Sequence, residues 1–117
     1  MKLKLKRVYE QPDASDGIRI LVERLWPRGL SKEKAKVDLW IKDAAPSTEL
    51  RKWFDHDPKK WEVFKKRYYS ELTHKPEALK PVLELRDQKE VTFVYASKEE
   101  RYNNAQALVE YITKLRV

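Results

Sequence analysis

The segment Glu23-Arg24-Leu25-Trp26-Pro27-Arg28-Gly29 gathers side chains suited to an anion. Arg24 and Arg28 carry planar guanidinium forks that match phosphate or carboxylate oxygens. Gly29 permits a positive φ and a close backbone approach. Trp26 offers a flat face to a ring or to an arginine. The same residues also fit a plain structural role. Arg24 can pair with Glu23 or Asp38, and Trp26-Pro27 can be a packed corner.

A second segment, Tyr95-Ala96-Ser97-Lys98, ends a hydrophobic run. Ser97 with Glu100 reads as a capping box, which predicts a helix start at Ser97. Free N–H groups at such a start favour an anion, and Lys98 adds charge. A cap is also explained by helix stability alone. Asn103 and Asn104 follow; consecutive residues diverge, so at most one of them should line a pocket.

Other candidates are weaker. Asp55-His56-Asp57 resembles an acid–base cluster, with His56 as a general base, but adjacent side chains point apart. Glu23 would become a raised-pKa acid if buried, against the pull of its arginine neighbours. Lys59, Lys60, Lys65, Lys66 and Arg67 interleave with Trp61, Phe64, Tyr68 and Tyr69. Basic groups among aromatics can bind nucleic acid. The aromatics fall at core spacing, however, which makes the lysines a solvated helix face.

Composition narrows the field. The chain has 117 residues, with 26 Lys plus Arg against 19 Asp plus Glu, for a net charge of +7. That is the length of a single domain, residues 1–117. Cysteine is absent, which excludes disulfides, a thiolate nucleophile and Cys-ligated metals. Two histidines are too few for a His-rich metal site, and no cofactor is expected. Two glycines exclude the Gly-rich phosphate loops. No apolar run is long enough to span a membrane. The basic start lacks a following apolar stretch, so no secretory leader is expected and the location is read as cytoplasmic.

The elements that must position these groups follow from periodicity. Residues 2–8 alternate Lys and Leu, the pattern of a half-buried strand with lysines suited to a sheet edge. Residues 18–25 read as an inner strand, with Arg19, Glu23 and Arg24 awkward inside it. Ser31 starts a helical turn through Ala35, and residues 37–41 suit a strand. Ser47 caps a helix over 48–54. Asp57 with Pro58 starts another that runs to about Thr73. Pro76 opens a further helix, residues 90–95 form a strand, and a C-terminal helix follows. The predicted class is α/β: one small domain, a mostly parallel sheet of about four strands, and helices on its faces. In such sheets ligands bind beyond the carboxyl ends of the strands. If the strands are parallel, the two segments above share one rim.

Three blocks carry a resemblance: Leu21 to Leu30; Ala45 to Phe54 with His56-Asp57-Pro58; and Tyr95-Ala96-x-Lys98 with Asn103 and Ala105. Together they resemble the domain-of-unknown-function 488 family, the YeaO-like proteins. The resemblance implies a single-domain cytoplasmic α/β protein and no established reaction. By position it marks Arg24, Trp26, Pro27, Arg28 and Gly29, then Ser47, Arg51, Trp53, Phe54 and His56, then Tyr95, Lys98 and Asn103. The third block of the family often carries a histidine where this chain has Tyr102, which argues against an obligatory imidazole there.

The blocks share cations, helix starts and flat rings. They predict a pocket for a small phosphorylated or carboxylated ligand, nucleotide-like, in an enzyme or a non-catalytic binder. The residues assigned to it are Arg24, Trp26, Arg28, Gly29, Arg51, Tyr95, Ser97, Lys98 and Asn103, with His56 as general base. The alternatives are a basic nucleic-acid-binding module and a protein-interaction module. Oligomeric state is left open.

Overall fold

The alternating Lys-Leu run forms strand β1 (Lys2–Arg7), which pairs in parallel with the apolar strand β4 (Glu90–Tyr95). β4 is buried from Val91 to Tyr95 because β1 covers one side and β2 (Ile18–Leu21) the other. A two-residue strand, β3 (Leu39–Trp40), closes the far edge, giving the order β1-β4-β2-β3 with every pair parallel. The computed structural model describes residues 2–115. The α/β class and the four-stranded parallel sheet therefore agree with the sequence reading. The lysines of β1 do the work of an edge: Lys4 pairs with Glu90 at 2.6 Å and Lys6 with Asp16 at 3.3 Å.

Strand alternation sorts the core into two faces. Ile20, Val22, Val91, Phe93 and Tyr95 face the larger cluster; Leu21 and Val94 face a smaller one. The smaller face is covered by α1 (Lys32–Ala35), through Ala35, together with Trp26, Leu30 and Trp40. The larger is covered by α2 (Thr48–Phe54), α3 (Trp61–Thr73), the short α4 (Lys80–Leu83) and α5 (Asn104–Leu115). Trp61, Phe64, Tyr68 and Leu72 recur at helical spacing and are all buried. Phe54 stacks on Phe64 with ring centres 4.2 Å apart, which locks α2 to α3. The Tyr68 hydroxyl donates to the Ala44 carbonyl, satisfying the one polar atom of a fully buried ring.

Several boundaries differ from the periodicity. The inner strand ends at Leu21 rather than Leu25, so Glu23 and Arg24 lie beyond it. Arg19 does sit inside, 3% exposed, because its charge is matched. Its Nη1 meets Asp16 at 2.7 Å, and Nε and Nη2 both donate to the Ala35 carbonyl. The strand read over 37–41 contracts to Leu39–Trp40. The capping box at Ser97 opens no helix: α5 begins at Asn104. The Ser97 hydroxyl accepts the Glu99 N–H at 2.9 Å, a local turn that competes with a helix. Asn103 is the true cap; its Oδ1 accepts from the Gln106 N–H at 2.9 Å and its Nδ2 donates to the Glu99 carbonyl. No helix among the described residues is long and apolar enough to cross a membrane.

Candidate functional site

The chain leaves β2 and β4 in opposite directions. After β2 it passes to α1 on the smaller face; after β4 it passes to α5 on the larger. Adjacent parallel strands whose exits diverge leave a crevice at their carboxyl ends. A cavity of about 420 Å³ with convergent polar groups lies there. Its strand-end side carries Glu23, Ser97 and Asn104; its α2 side carries Arg51, Lys52, His56 and the carboxylate of Asp55.

Glu23 is held in place from the end of β4 and from β3. Its carboxylate accepts the Ala96 N–H at 3.1 Å, while its own carbonyl accepts the Trp40 indole N–H. Burial pushes the Glu23 carboxyl above its ordinary range, opposed by the Ala96 N–H and by the charges of Arg51 and His56. Asn104, at the start of α5, donates to the Val22 carbonyl. Two residues thus tie β2, β4 and α5 together at the cavity floor.

The opposite wall is the end of α2. Ser47 caps that helix, accepting from the Leu50 N–H, and the Glu71 carboxylate in turn holds Ser47 through its N–H and hydroxyl. The helix exits through two consecutive left-handed residues, Asp55 (φ 46°) and His56 (φ 54°). Neither is glycine, and such backbone strain concentrates at functional sites. His56 Nδ1 lies 3.2 Å from the Tyr102 carbonyl. A carbonyl can only accept, so Nδ1 is the protonated nitrogen and Nε2 is left for another partner. Arg51 and Lys52 are exposed and form no ion pair among the described residues.

The cavity therefore brings together Arg51, His56 and Ser97 from the residues assigned to a pocket by sequence. The others lie elsewhere. Arg24 turns under the chain before α2, donating to the Ala45 and Pro46 carbonyls at 3.0 and 3.2 Å. Trp26 packs into the smaller face, edge-to-face with Trp40, with its indole N–H on the Leu30 carbonyl. Arg28 is exposed, and its carbonyl accepts the Tyr9 hydroxyl. Gly29 has φ 75° with open space beside it. Tyr95 is buried in the main core, Lys98 is exposed, and Asn103 is the buried cap. The loop after β4 also supplies its own anion: the Glu99 carboxylate accepts the N–H groups of Arg101 and Tyr102, which holds its pKa below the ordinary range.

Glu23 and Asn104 had a signal in the sequence. A glutamate awkward inside the strand read over 18–25 marks a carboxyl whose pKa burial would raise, as it does, and Asn103-x-x-Gln106 is itself a capping pattern that puts Asn104 in the first turn. Lys52 had none that separated it from other exposed lysines. The basic helix is largely accounted for internally. Lys60 donates to the Trp53 carbonyl, Arg67 lies 4.4 Å over the Trp53 ring, and Lys65 pairs with Glu62 and Glu110. Its aromatics are core.

Among known proteins, the family model described as "Inactive DUF488-N3 subclade" matches residues 2–116. The chain belongs to the DUF488 family. Similar relatives include the uncharacterized protein YeaO of Escherichia coli, 36% identical over 115 residues, which cover 98% of this chain and all of that one. The uncharacterized protein Rv3073c of Mycobacterium tuberculosis is 39% identical over 111 residues, covering 95% of this chain and 93% of its own. The uncharacterized protein Mb3100c of Mycobacterium bovis shows the same identity and coverage. No solved structure matches. The family resemblance read from the three sequence blocks is thus established for this DUF488 chain across nearly its whole length.

Proposed function

We propose that this DUF488 protein is a cytoplasmic binding module for a small phosphorylated or carboxylated ligand of nucleotide size. The ligand sits in the cavity at the carboxyl ends of β2 and β4. One observation carries the reading: Arg51 and Lys52, exposed and without ion-pair partners among the described residues, share a cavity with His56, Asp55 and the half-buried Glu23. Exposed cations outside any close ion pair at the mouth of a concave site attract an anion and raise its local concentration. The cavity volume of about 420 Å³ falls in the range of small-molecule sites. The subclade description "inactive" favours binding without turnover, and His56 then serves as a hydrogen-bonding group rather than a general base.

The test is a thermal-shift screen with phosphate, nucleotides, sugar phosphates and short oligonucleotides at low and moderate salt. A ligand at a hundred times its Kd stabilises a protein by about 2.7 kcal/mol, several degrees for a domain of this size. The expected result is a shift from a small anion that survives moderate salt and is lost in the R51A/K52A double variant. A shift from no small anion, or one indifferent to that double variant, would overturn the reading. A shift from oligonucleotides alone, lost with salt, would move the activity to nucleic acid.

A further inference from the structure

The cations of the cavity explain one end of a ligand; the floor says something about the other. Glu23 has two carboxylate oxygens, and only Oε2 has a hydrogen bond among the described residues, from the Ala96 N–H. Oε1 is not a sealed, unpaired atom, because no such side-chain atom exists among the described residues. It opens to the cavity that Glu23 lines. Asn104 uses its Nδ2 on the Val22 carbonyl, which leaves Oδ1 as its spare polar atom. The Ser97 hydroxyl oxygen is engaged as acceptor for the Glu99 N–H. An ionised carboxylate and an amide oxygen accept hydrogen bonds and cannot donate them.

The cavity thus has free acceptors at the strand-end floor, and on the α2 wall two cations, Arg51 and Lys52, with the Asp55 carboxylate at the helix end. We infer that Glu23, with Asn104 beside it, is the specificity determinant of the site, and selects phosphate monoesters whose buried end bears two adjacent hydrogen-bond donors. The inference rests on the anion-binding reading above. A donor pair of this kind comes from two sources. One is the guanine edge, where a ring N–H stands next to an amino group. The other is the 2′,3′-diol of ribose. In either case the phosphate reaches Arg51 and Lys52 while the donors meet Glu23. A ligand without the pair leaves a desolvated carboxylate unsatisfied, which is what makes such a group discriminate.

The experiment is a calorimetric titration of the full-length protein with GMP, 2′-deoxy-GMP, AMP, 2′-deoxy-AMP, ribose 5-phosphate and inorganic phosphate. The same panel is run on Glu23→Gln. Glutamine keeps an oxygen for the Ala96 N–H and turns an N–H₂ toward the cavity, so the floor becomes a donor with little change of shape. Wild type is expected to prefer donor-pair ligands by about tenfold or more, the worth of a hydrogen bond to a charged group. If the guanine edge is read, both guanine nucleotides bind above both adenine nucleotides. If the diol is read, GMP, AMP and ribose 5-phosphate bind above the two deoxynucleotides. In E23Q the preference is lost while inorganic phosphate still binds, more tightly than to wild type because a negative charge acting on Arg51 has gone. Equal affinity across the nucleotides in wild type, or a preference unchanged in E23Q, would overturn the inference but leave anion binding standing. No heat with any phosphate, inorganic phosphate included, would overturn both.

Discussion

The Glu23 carboxylate accepts the Ala96 N–H at 3.1 Å, so the residue two places past the end of β2 is fastened to the residue just past the end of β4. This bond fixes the mouth between two strands whose chains then diverge. It also leaves an acidic group in a site that burial makes unfavourable for its charge.

That cost has a sign that can be checked. Burial raises the Glu23 pKa in the folded state above its ordinary value of 4.5. Over the interval between the ordinary and the raised value, the folded protein holds more protons than the unfolded chain. Stability from this group therefore falls as pH rises through that interval and stays lower above it. E23Q removes the ionisation. The variant should be more stable than wild type at pH 7.5, and its advantage should vanish by about pH 4, below the unfolded-state value. Urea denaturation of both proteins at the two pH values measures this difference. A less stable E23Q at pH 7.5 would contradict the assignment of a burial penalty.

Arg24 makes a different prediction from the one its residue type invites. Its guanidinium holds the Ala45 and Pro46 carbonyls. Arg24→Ala should lower stability by about 1–3 kcal/mol and affect ligand binding only through the position of α2. Arg24→Lys should rescue little, since one ammonium does not reproduce a fork spanning two carbonyls. The unfolding midpoint checks the first claim, and phosphate affinity at a temperature where the variant is folded checks the second.

The Asp16–Arg19 pair is buried on both sides, with side chains 6% and 4% exposed. Burial alone would raise the Asp16 pKa, but the Asp13 N–H, Lys6 and Arg19 outweigh it and hold the carboxylate below its ordinary range. Arg19→Met leaves Asp16 facing Lys6 at 3.3 Å and strands the Ala35 carbonyl. A loss of about 3–5 kcal/mol is expected, as for other buried pairs broken on one side. Chemical denaturation reads it directly, and a loss under about 1 kcal/mol, the level of an exposed pair, would show that water reaches the site.

The two glycines should respond unequally. A Cβ on Gly17 would lie 2.2 Å from the Glu90 carbonyl oxygen, at φ 65°, where β4 begins. Gly29 has φ 75° but open space around it. Gly17→Ala must displace the start of β4 and should destabilise severely. Gly29→Ala bears only the left-handed strain, about 1–2 kcal/mol. Thermal unfolding of the two variants, measured side by side, tests whether Gly29 is needed by the fold or is free to serve another purpose.

The sequence by itself determined the parts governed by local rules. Lys-Leu alternation made β1 an edge strand. The aromatic spacing from Trp61 to Leu72 buried α3, and Ser31, Ser47 and Asp57 capped the elements they precede. The family followed from three blocks in order. The site was less legible, because a cavity depends on where chains turn after they leave a sheet. Arg24, Trp26 and Arg28 lie at the right end of β2, yet tertiary packing draws Arg24 to backbone carbonyls and Trp26 to the far face. Ser97 carries a helix-start pattern, but a two-residue turn at Glu99 wins and Asn103 caps α5 instead. Only the tertiary structure could bring Arg51 and His56, from the end of α2, opposite Glu23 and Asn104. Those groups are separated along the chain, and what joins them is packing, in which burial of Phe54 against Phe64 fixes α2 over the strand ends.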